Sequence, residues 1–118
     1  MKAMMSRIRS PKRMGTSRRT EALALLGIAR RAGAVVKGTD ATRRGLRKGV
    51  VRLVILADDG SEAQIGKVVP LAQARGVPCR KIAGRSELGA SVGDGPLTAV
   101  GVTGASFAER LQDYLKRD

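Results

Sequence analysis

The segment Val50–Ala57, VVRLVILA, is an almost unbroken apolar run of eight residues interrupted by Arg52. A run of this length, rich in branched side chains and bounded by turn signals, predicts a strand that is buried on both faces of a sheet. Gly49 precedes it, and Asp58-Asp59-Gly60-Ser61 follows it as a turn and helix-cap signal. Because such a strand needs helices on both sides, this segment favours a layered α/β fold.

Helical and strand patterns alternate on both sides of this strand. Upstream we predict a helix from the N-cap Thr20 to Gly33, a strand at Ala34–Lys37, and a basic helix from the cap signal Gly38-Thr39-Asp40 to Gly49. Downstream we predict a helix that Pro70 kinks or divides, strands at Val77–Ile82 and Leu97–Val102, and helices at Ser86–Ala90 and Ala105–Leu115. The pattern predicts a three-layer α/β/α sandwich around a four-stranded sheet, formed by a single domain at 20–118.

The positive charge of the chain is concentrated in its first half. Residues 1–52 hold 15 Lys and Arg against two Asp and Glu, whereas residues 53–118 hold eight of each, so the net charge of +13 lies in the first segment. Residues 1–19 have no acid and no sustained apolar period, which predicts a disordered basic N-terminal arm. We expect the arm to contact phosphates without sequence preference; a solvated tail is the alternative. Its composition also resembles that of a transit peptide, although it makes a poor amphipathic helix.

Several classes of function are excluded by composition. The chain has no His and one Cys, Cys79, so a His-based catalytic triad, a His-ligated zinc site and an internal disulfide are impossible. Asp58 and Asp59 are interpreted as a helix cap and turn rather than as a metal site. No apolar run is long enough to span a membrane. We expect a cytoplasmic, monomeric protein with no catalytic residues, no metal and no cofactor.

The basic helix after Gly38 carries the strongest functional signal. A helix N-terminus presents unpaired N–H groups and partial positive charge, and here Lys37 flanks it while Arg43, Arg44, Arg47 and Lys48 follow within the helix. No acid after Asp40 in this helix offsets them. This pattern predicts nucleic-acid binding, in preference to a solvated basic face. The two aromatic residues, Phe107 and Tyr114, lie on a predicted core stripe, which argues against binding of single strands by base stacking.

From LLGIARRAGAVVKGTDATRRGLRKGVVRLVILADDGSE onward the chain resembles a ribosomal-protein family that binds kink-turn RNA, the L-seven-Ae and L-thirty-e superfamily, and especially its small bacterial members. The resemblance continues through ARGVPCRKI, RSELGASVG, LTAVGV and the final helix, and it covers roughly residues 20–115. It implies a four-stranded mixed sheet between helices, in agreement with the pattern of predicted elements.

The resemblance also implies site residues at the start of the basic helix. Gly38 and Thr39 match the family's pattern, Arg44 stands where the family has Lys, and Asp40 and Ala41 stand where it has Asn and Glu. In the family this helix start recognises the tandem sheared G·A pairs of the kink-turn. The loop before the last strand covers a flipped-out nucleotide there, which implies contacts from Val92, Gly93 and Pro96, although a plain surface turn is the alternative.

These observations predict a non-catalytic protein that binds a kink-turn or similar structured RNA. We expect ribosomal RNA, and therefore a ribonucleoprotein role in ribosome structure, ribosome assembly or translation, with the ribosome as a partner and no membrane contact. The predicted RNA-binding residues are Lys37, Gly38, Thr39, Asp40, Arg43, Arg44, Arg47, Lys48, Val92, Gly93 and Pro96. Arg30 and Arg31 extend the basic face. Two alternatives remain open: an RNA-recognition module that serves an RNA-modifying enzyme in trans, and a basic protein that binds an acidic protein partner.

Overall fold

Five helices and four strands alternate along residues 18–116, the part of the chain that the computed structural model describes; side chains are described for residues 18–115. In chain order the elements are α1 (18–31), β1 (Val35–Lys37), α2 (Thr39–Lys48), β2 (Leu53–Ala57), α3 (Glu62–Ala74), β3 (Cys79–Ala83), α4 (Arg85–Ser91), β4 (Ala99–Val102) and α5 (Ala105–Lys116). The predicted arm at 1–19 lies outside the described residues except for Arg18 and Arg19, which belong to α1.

The four strands form one mixed sheet in the order β1-β4-β2-β3. Strand β4 pairs antiparallel with both β1 and β2, whereas β2 and β3 are parallel. The parallel pair needs a crossover connection, which α3 supplies. The predicted four-stranded mixed sheet is therefore confirmed.

Two hydrophobic cores lie on opposite faces of this sheet, because successive side chains of a strand point in opposite directions. Leu53, Ile55 and Ala57 of β2 belong to one core, with buried side chains of α1, α4 and α5. Val54 and Leu56 belong to the other, with buried side chains of α2 and α3. All five β2 residues are buried, which confirms the predicted strand covered on both faces and the three-layer sandwich.

Strands β2 and β3 begin later than predicted, because the residues before them complete helices. The amides of Val50 and Val51 donate to the carbonyl of Gly45, at 3.0 and 3.3 Å, and so close the end of α2. The amide of Val77 donates to the carbonyl of Ala72 at 2.8 Å and closes α3 in the same way. These segments are apolar, but their backbone groups are already paired before the sheet begins.

Two helix boundaries also differ from the predictions. Helix α1 already includes residues 18 and 19, so Thr20 lies inside it and is not the N-cap. Helix α3 runs continuously from Glu62 to Ala74 through Pro70, so the predicted alternative of two short helices is wrong. Pro70 has no N–H to offer the carbonyl of Gly66 four residues earlier. Both residues are exposed, so water can bond that carbonyl.

Cys79 begins β3 and is half-buried among the side chains of the core on the α2 and α3 face. Burial raises the pKa of its thiol, and the charge of the neighbouring Arg80 opposes that rise. The thiol is therefore kept protonated and poorly nucleophilic, as expected for a structural cysteine. No helix among residues 18–116 combines the length and the apolar character needed to cross a membrane.

Two glycines in helices offer a matched test of packing. A Cβ on the buried Gly89 of α4 would collide with the backbone carbonyl of Gly95, whereas a Cβ on Gly66 of α3 would meet nothing within 4 Å. We predict that Gly89→Ala lowers the free energy of unfolding by about 1–3 kcal/mol, because backbone must shift to admit the methyl group. Gly66→Ala should raise it by about 0.5–1 kcal/mol, because alanine favours the helix. Urea unfolding measures both; equal effects of the two substitutions would contradict the packing described.

Candidate nucleic-acid interface

The N-cap residue of α2 is Gly38, which has no side chain that could cap the helix. Gly38 has φ 94° and ψ 164°, a backbone conformation that favours glycine, and no side chain of the described residues caps the helix. The Gly38 amide donates to the Ala99 carbonyl at 2.9 Å, which ties the helix start to β4. The first amides of α2, from Thr39 onward, therefore remain available to an anionic ligand at the positive end of the helix dipole.

This helix start opens onto a cavity of about 620 Å³. The cavity is lined by residues from four parts of the chain: Lys37, Gly38, Thr39, Asp40, Ala41 and Arg44 around the start of α2, Ser61, Gln64 and Lys67 of α3 and its cap, Arg85 of α4, and the segment Pro96, Leu97 and Thr98 before β4. We call these residues the α2 site. Its four cations outnumber its one carboxylate.

The sheet explains why these parts of the chain meet. The ends of β2 and β3 that lead into α3 and α4 lie at the same edge, because the two strands are parallel. Strand β4 runs antiparallel to β1 and β2, so its first residues lie at that edge beside the last residue of β1, Lys37. The starts of α2, α3 and α4 and the segment before β4 therefore converge, as ligand sites of open α/β sheets commonly do.

Two of the site's cations have acidic partners. The Lys37 ammonium lies 3.7 Å from a carboxylate oxygen of Asp94, and Arg85 Nε lies 3.7 Å from Asp59 Oδ1. Arg44 and Lys67 are exposed and have no ion pair within the described part of the chain. The hydroxyl of Thr39 donates to Gln64 Oε1 at 3.2 Å and links α2 to α3 across the site. Arg44 and Lys67 are thus the cations most open to a phosphate or a base edge.

The loop before β4 contributes less than predicted. Val92 is fully buried in the core beneath α1 and α4, so its side chain cannot cover a nucleotide and the prediction is wrong for this residue. Val92 follows α4 directly, and the helix directs it inward. Gly93 and Pro96 are exposed, and Pro96 lines the α2 site.

Arg30 of α1 lies against this loop. A Cβ on Gly93, which has φ 73°, would come within 2.7 Å of Arg30 Nη2 and 2.9 Å of its Cζ. The guanidinium therefore lies against the glycine backbone, and the extension of the basic face by Arg30 stays a prediction. Arg31 is exposed on the last turn of the same helix.

The remaining predicted cations of α2 lie away from the cavity. Arg47 and Lys48 are exposed in the last turn of the helix, and neither lines the α2 site. Arg43 is half-buried, and its Nε is buried without a hydrogen-bond partner among the residues that the structure describes. The predicted residues therefore separate into a set around the helix start and a set toward its end.

Sequence patterns missed Ser61, Gln64, Lys67 and Arg85, all of which line the α2 site. No local run of charge marks them, since each stands alone in its segment. The order of the strands identifies them, because α3 and α4 follow β2 and β3 at the edge of the sheet where α2 also begins.

Ser61 caps α3, the helix that follows this turn, as predicted, whereas Asp59 bonds the start of α4 and not the predicted α3. Ser61 Oγ accepts from the Gln64 amide at 3.3 Å and caps α3, whereas Asp59 Oδ1 accepts from the Arg85 amide at 2.8 Å and so anchors the start of α4. Among residues 18–116 no group of three or more His, Cys, Asp or Glu is arranged to hold a metal ion.

The structure is thus a small α/β/α sandwich with a basic cavity at one edge of its sheet. Residues 20–111 match the ribosomal protein L7Ae/L30e/S12e/Gadd45 family, and the chain belongs to this family. The RNA-binding protein YlxQ of Bacillus subtilis (strain 168) is 36% identical over 91 residues, which cover 77% of this chain and 91% of the relative. A YlxQ of Enterococcus faecium, also named an RNA-binding protein, is 27% identical over 103 residues, which cover 87% of this chain and 99% of the relative.

Solved structures share the fold. A protein with unknown function from Bacillus halodurans superposes with a TM-score of 0.77 at 27% identity, covering 80% of this chain and 96% of that one. The 15.5kD RNA binding protein of Giardia lamblia superposes with a TM-score of 0.71 at 21% identity, covering 86% of this chain and 87% of that one, and shows likeness of fold alone.

The two neighbouring aspartates after β2 allow a direct test of the cap on α4. Asp59→Ala removes the acceptor for the Arg85 amide, and we expect a loss of about 1 kcal/mol in the free energy of unfolding. The matched control is Asp58→Ala, because Asp58 is also exposed and its side chain makes no hydrogen bond or ion pair within the described part of the chain. This control should stay within about 0.5 kcal/mol of the unsubstituted protein. Chemical denaturation measures both, and equal losses would contradict the role assigned to Asp59.

Proposed function

We propose that this protein binds structured RNA of the kink-turn type through the α2 site and has no catalytic role of its own. The observation that carries the proposal is the uncapped start of α2, which opens into a cavity lined by four cations. Exposed amides at a helix N-terminus bind phosphates and other anions. The two YlxQ relatives, named as RNA-binding proteins, support the same class of ligand.

The form of the site favours a folded RNA over an extended strand. Phe107 and Tyr114, the two aromatic residues of the chain, are partly buried against the core and do not line the α2 site. The site therefore has no aromatic platform for successive bases. It has instead a helix end, a recess and separated cations, which suit a bent RNA whose phosphates and base edges converge on one place.

Within this proposal the residues have distinct roles. The Gly38 backbone allows close approach of the RNA, Arg44 donates to a guanine edge, and Lys37, Lys67 and Arg85 neutralise phosphates. Pro96 and Gly93, with Arg30 beside them, cover an unstacked nucleotide. Binding to ribosomal RNA, and a cytoplasmic role in ribosome assembly or translation, complete the proposal.

A titration with two RNAs tests recognition by Arg44. One RNA carries a kink-turn with tandem sheared G·A pairs, and the second replaces those pairs with Watson–Crick pairs. Arg44→Ala should weaken binding of the first RNA by about 1–3 kcal/mol and leave weak binding of the second almost unchanged. Lys67→Ala is the control, because loss of a phosphate contact should weaken both RNAs by a similar factor. Equal affinity of the unsubstituted protein for the two RNAs would exclude specific recognition.

Asp94 should oppose RNA binding. Its carboxylate holds the Lys37 ammonium at 3.7 Å, and its Oδ1 also accepts from the Gly95 amide at 2.7 Å. Asp94→Asn keeps an acceptor for that amide but removes the negative charge and frees Lys37. We expect the affinity for the kink-turn RNA to rise by about two- to fivefold, the scale of one exposed ion pair. A filter-binding or calorimetric titration measures the change, and weaker binding would show that Asp94 itself contacts the RNA.

A further inference from the structure

The end of α2 that lies away from the α2 site forms a second basic surface. Arg47 and Lys48 occupy the last turn of α2, and Arg52 lies between Gly49 and β2. Arg75 caps the end of α3 beside them. Arg52 and Arg75 line a cavity of about 360 Å³ together with Gly49, Gly76 and the apolar residues Leu46, Val51 and Val77. We call Arg47, Lys48, Arg52 and Arg75 the distal patch.

The topology brings the distal patch together. Strands β2 and β3 are parallel neighbours, so the connections that lead into them lie side by side at one edge of the sheet. Arg52 belongs to the connection before β2, and Arg75 belongs to the connection before β3. Both glycines at these turns have positive φ, 76° at Gly49 and 69° at Gly76, which lets the two helices end abruptly beside each other.

The charge of the distal patch is not neutralised within the described part of the chain. Its four side chains are exposed, and none of them takes part in an ion pair there. The segments that build this end, residues 41–57 and 63–86, contain no Asp or Glu. The C-terminal ends of α2 and α3 each contribute about −0.5 of a charge, so together they offset about one of the four positive charges.

Helix capping does not account for these cations. The Gly49 amide donates to the Leu46 carbonyl at 3.1 Å, and the amides of Val50 and Val77 donate to carbonyls in the last turns of α2 and α3. Backbone groups thus close both helices, and the four side chains are exposed to solvent with no hydrogen bond or ion pair among residues 18–116. A surface of this kind attracts a polyanion.

The distal patch and the α2 site lie at opposite ends of the same helix. Helix α2 has 10 residues and is therefore about 15 Å long. The exposed Arg44 of the α2 site and the exposed Arg47 of the distal patch are three residues apart on α2, so cations continue along the helix. A small anion cannot span this distance, whereas a nucleic-acid backbone repeats its charge along its length. The patch also lacks the aromatic anchors that typically dominate protein interfaces.

We propose that the distal patch holds the phosphate backbone of a second segment of the same RNA whose bent segment occupies the α2 site. This inference rests on the proposed function and extends it to a stem that leaves the site along α2. The contact depends on charge rather than on base identity, so it raises affinity and salt dependence but adds no sequence preference.

The test uses two RNAs with the same kink-turn, one with stems trimmed close to the turn and one with both stems extended. The variant is Arg52→Gln together with Arg75→Gln, and the control is Arg110→Glu. The control changes the net charge by the same two units at an exposed position of α5. For the long RNA, the double variant should make the slope of log affinity against log salt shallower by about 1.4–1.8, the value for two lost phosphate contacts.

For the short RNA, the double variant should bind as the unsubstituted protein does, and Arg110→Glu should leave both slopes unchanged. The proposal is overturned if the double variant keeps the steep slope on the long RNA, a result that would leave the patch open to an acidic protein. It is also overturned if Arg110→Glu flattens the slope equally, because the effect is then one of overall charge. Failure of the unsubstituted protein to bind either RNA would refute the proposed function itself.

Discussion

Strand β2 has no face toward solvent, because its five side chains alternate between two hydrophobic cores. Burial of a strand on both faces requires a layer of helices on each side. Helices α1, α4 and α5 supply one layer, and α2 and α3 supply the other. The parallel pairing of β2 with β3 then requires α3 to cross over the sheet, so α3 begins at the edge where α4 also begins. The position of the α2 site follows from this arrangement.

The same arrangement brings together charged residues that are distant in sequence. Acidic residues follow β2 as Asp58 and Asp59, and Asp94 lies in the loop before β4. Asp59 and Asp94 pair with Arg85 and Lys37 at the α2 site. These ion pairs are exposed and contribute little to stability. Their main consequence is for the charge of the site, because they partly neutralise Lys37 and Arg85 and leave Arg44 and Lys67 as its cations without an ion pair in the described part of the chain.

Much of the fold could be predicted from the sequence, because the apolar run of β2, the turn glycines and the helix caps all act locally. Errors occurred where two local signals competed. Val50 and Val51 have strand composition, but their amides are used to close α2. Pro70 is a helix breaker by type, yet it lies on the exposed side of α3, where water can serve the freed carbonyl.

The α2 site was less predictable, because only its α2 half is continuous in sequence. Gly38, Thr39, Asp40 and Arg44 could be identified from one segment, whereas Lys67 and Arg85 reach the cavity only through the strand order. Val92 shows the opposite error. An apolar residue in a polar loop suggests an exposed contact. Val92, however, directly follows the short helix α4, and its side chain is buried in the core. Burial of this kind depends on helix orientation, which one sequence does not specify.

Asp40 and Ala41 depart from the family pattern, and the position of α3 bears on both residues. Asp40 supplies an acceptor but no donor, and Ala41 supplies neither in its side chain. Both line the α2 site beside Gln64 of α3, whose amide offers a donor and an acceptor and already bonds Thr39. Under the proposed function, Gln64, which lies across the cavity, can therefore make a polar contact with the RNA that Ala41 cannot make. Recognition would then be divided between α2 and α3. The position of α3 against α2 would therefore matter for RNA binding. The Thr39–Gln64 hydrogen bond and the packing of the buried Val68 and Leu46 set that position.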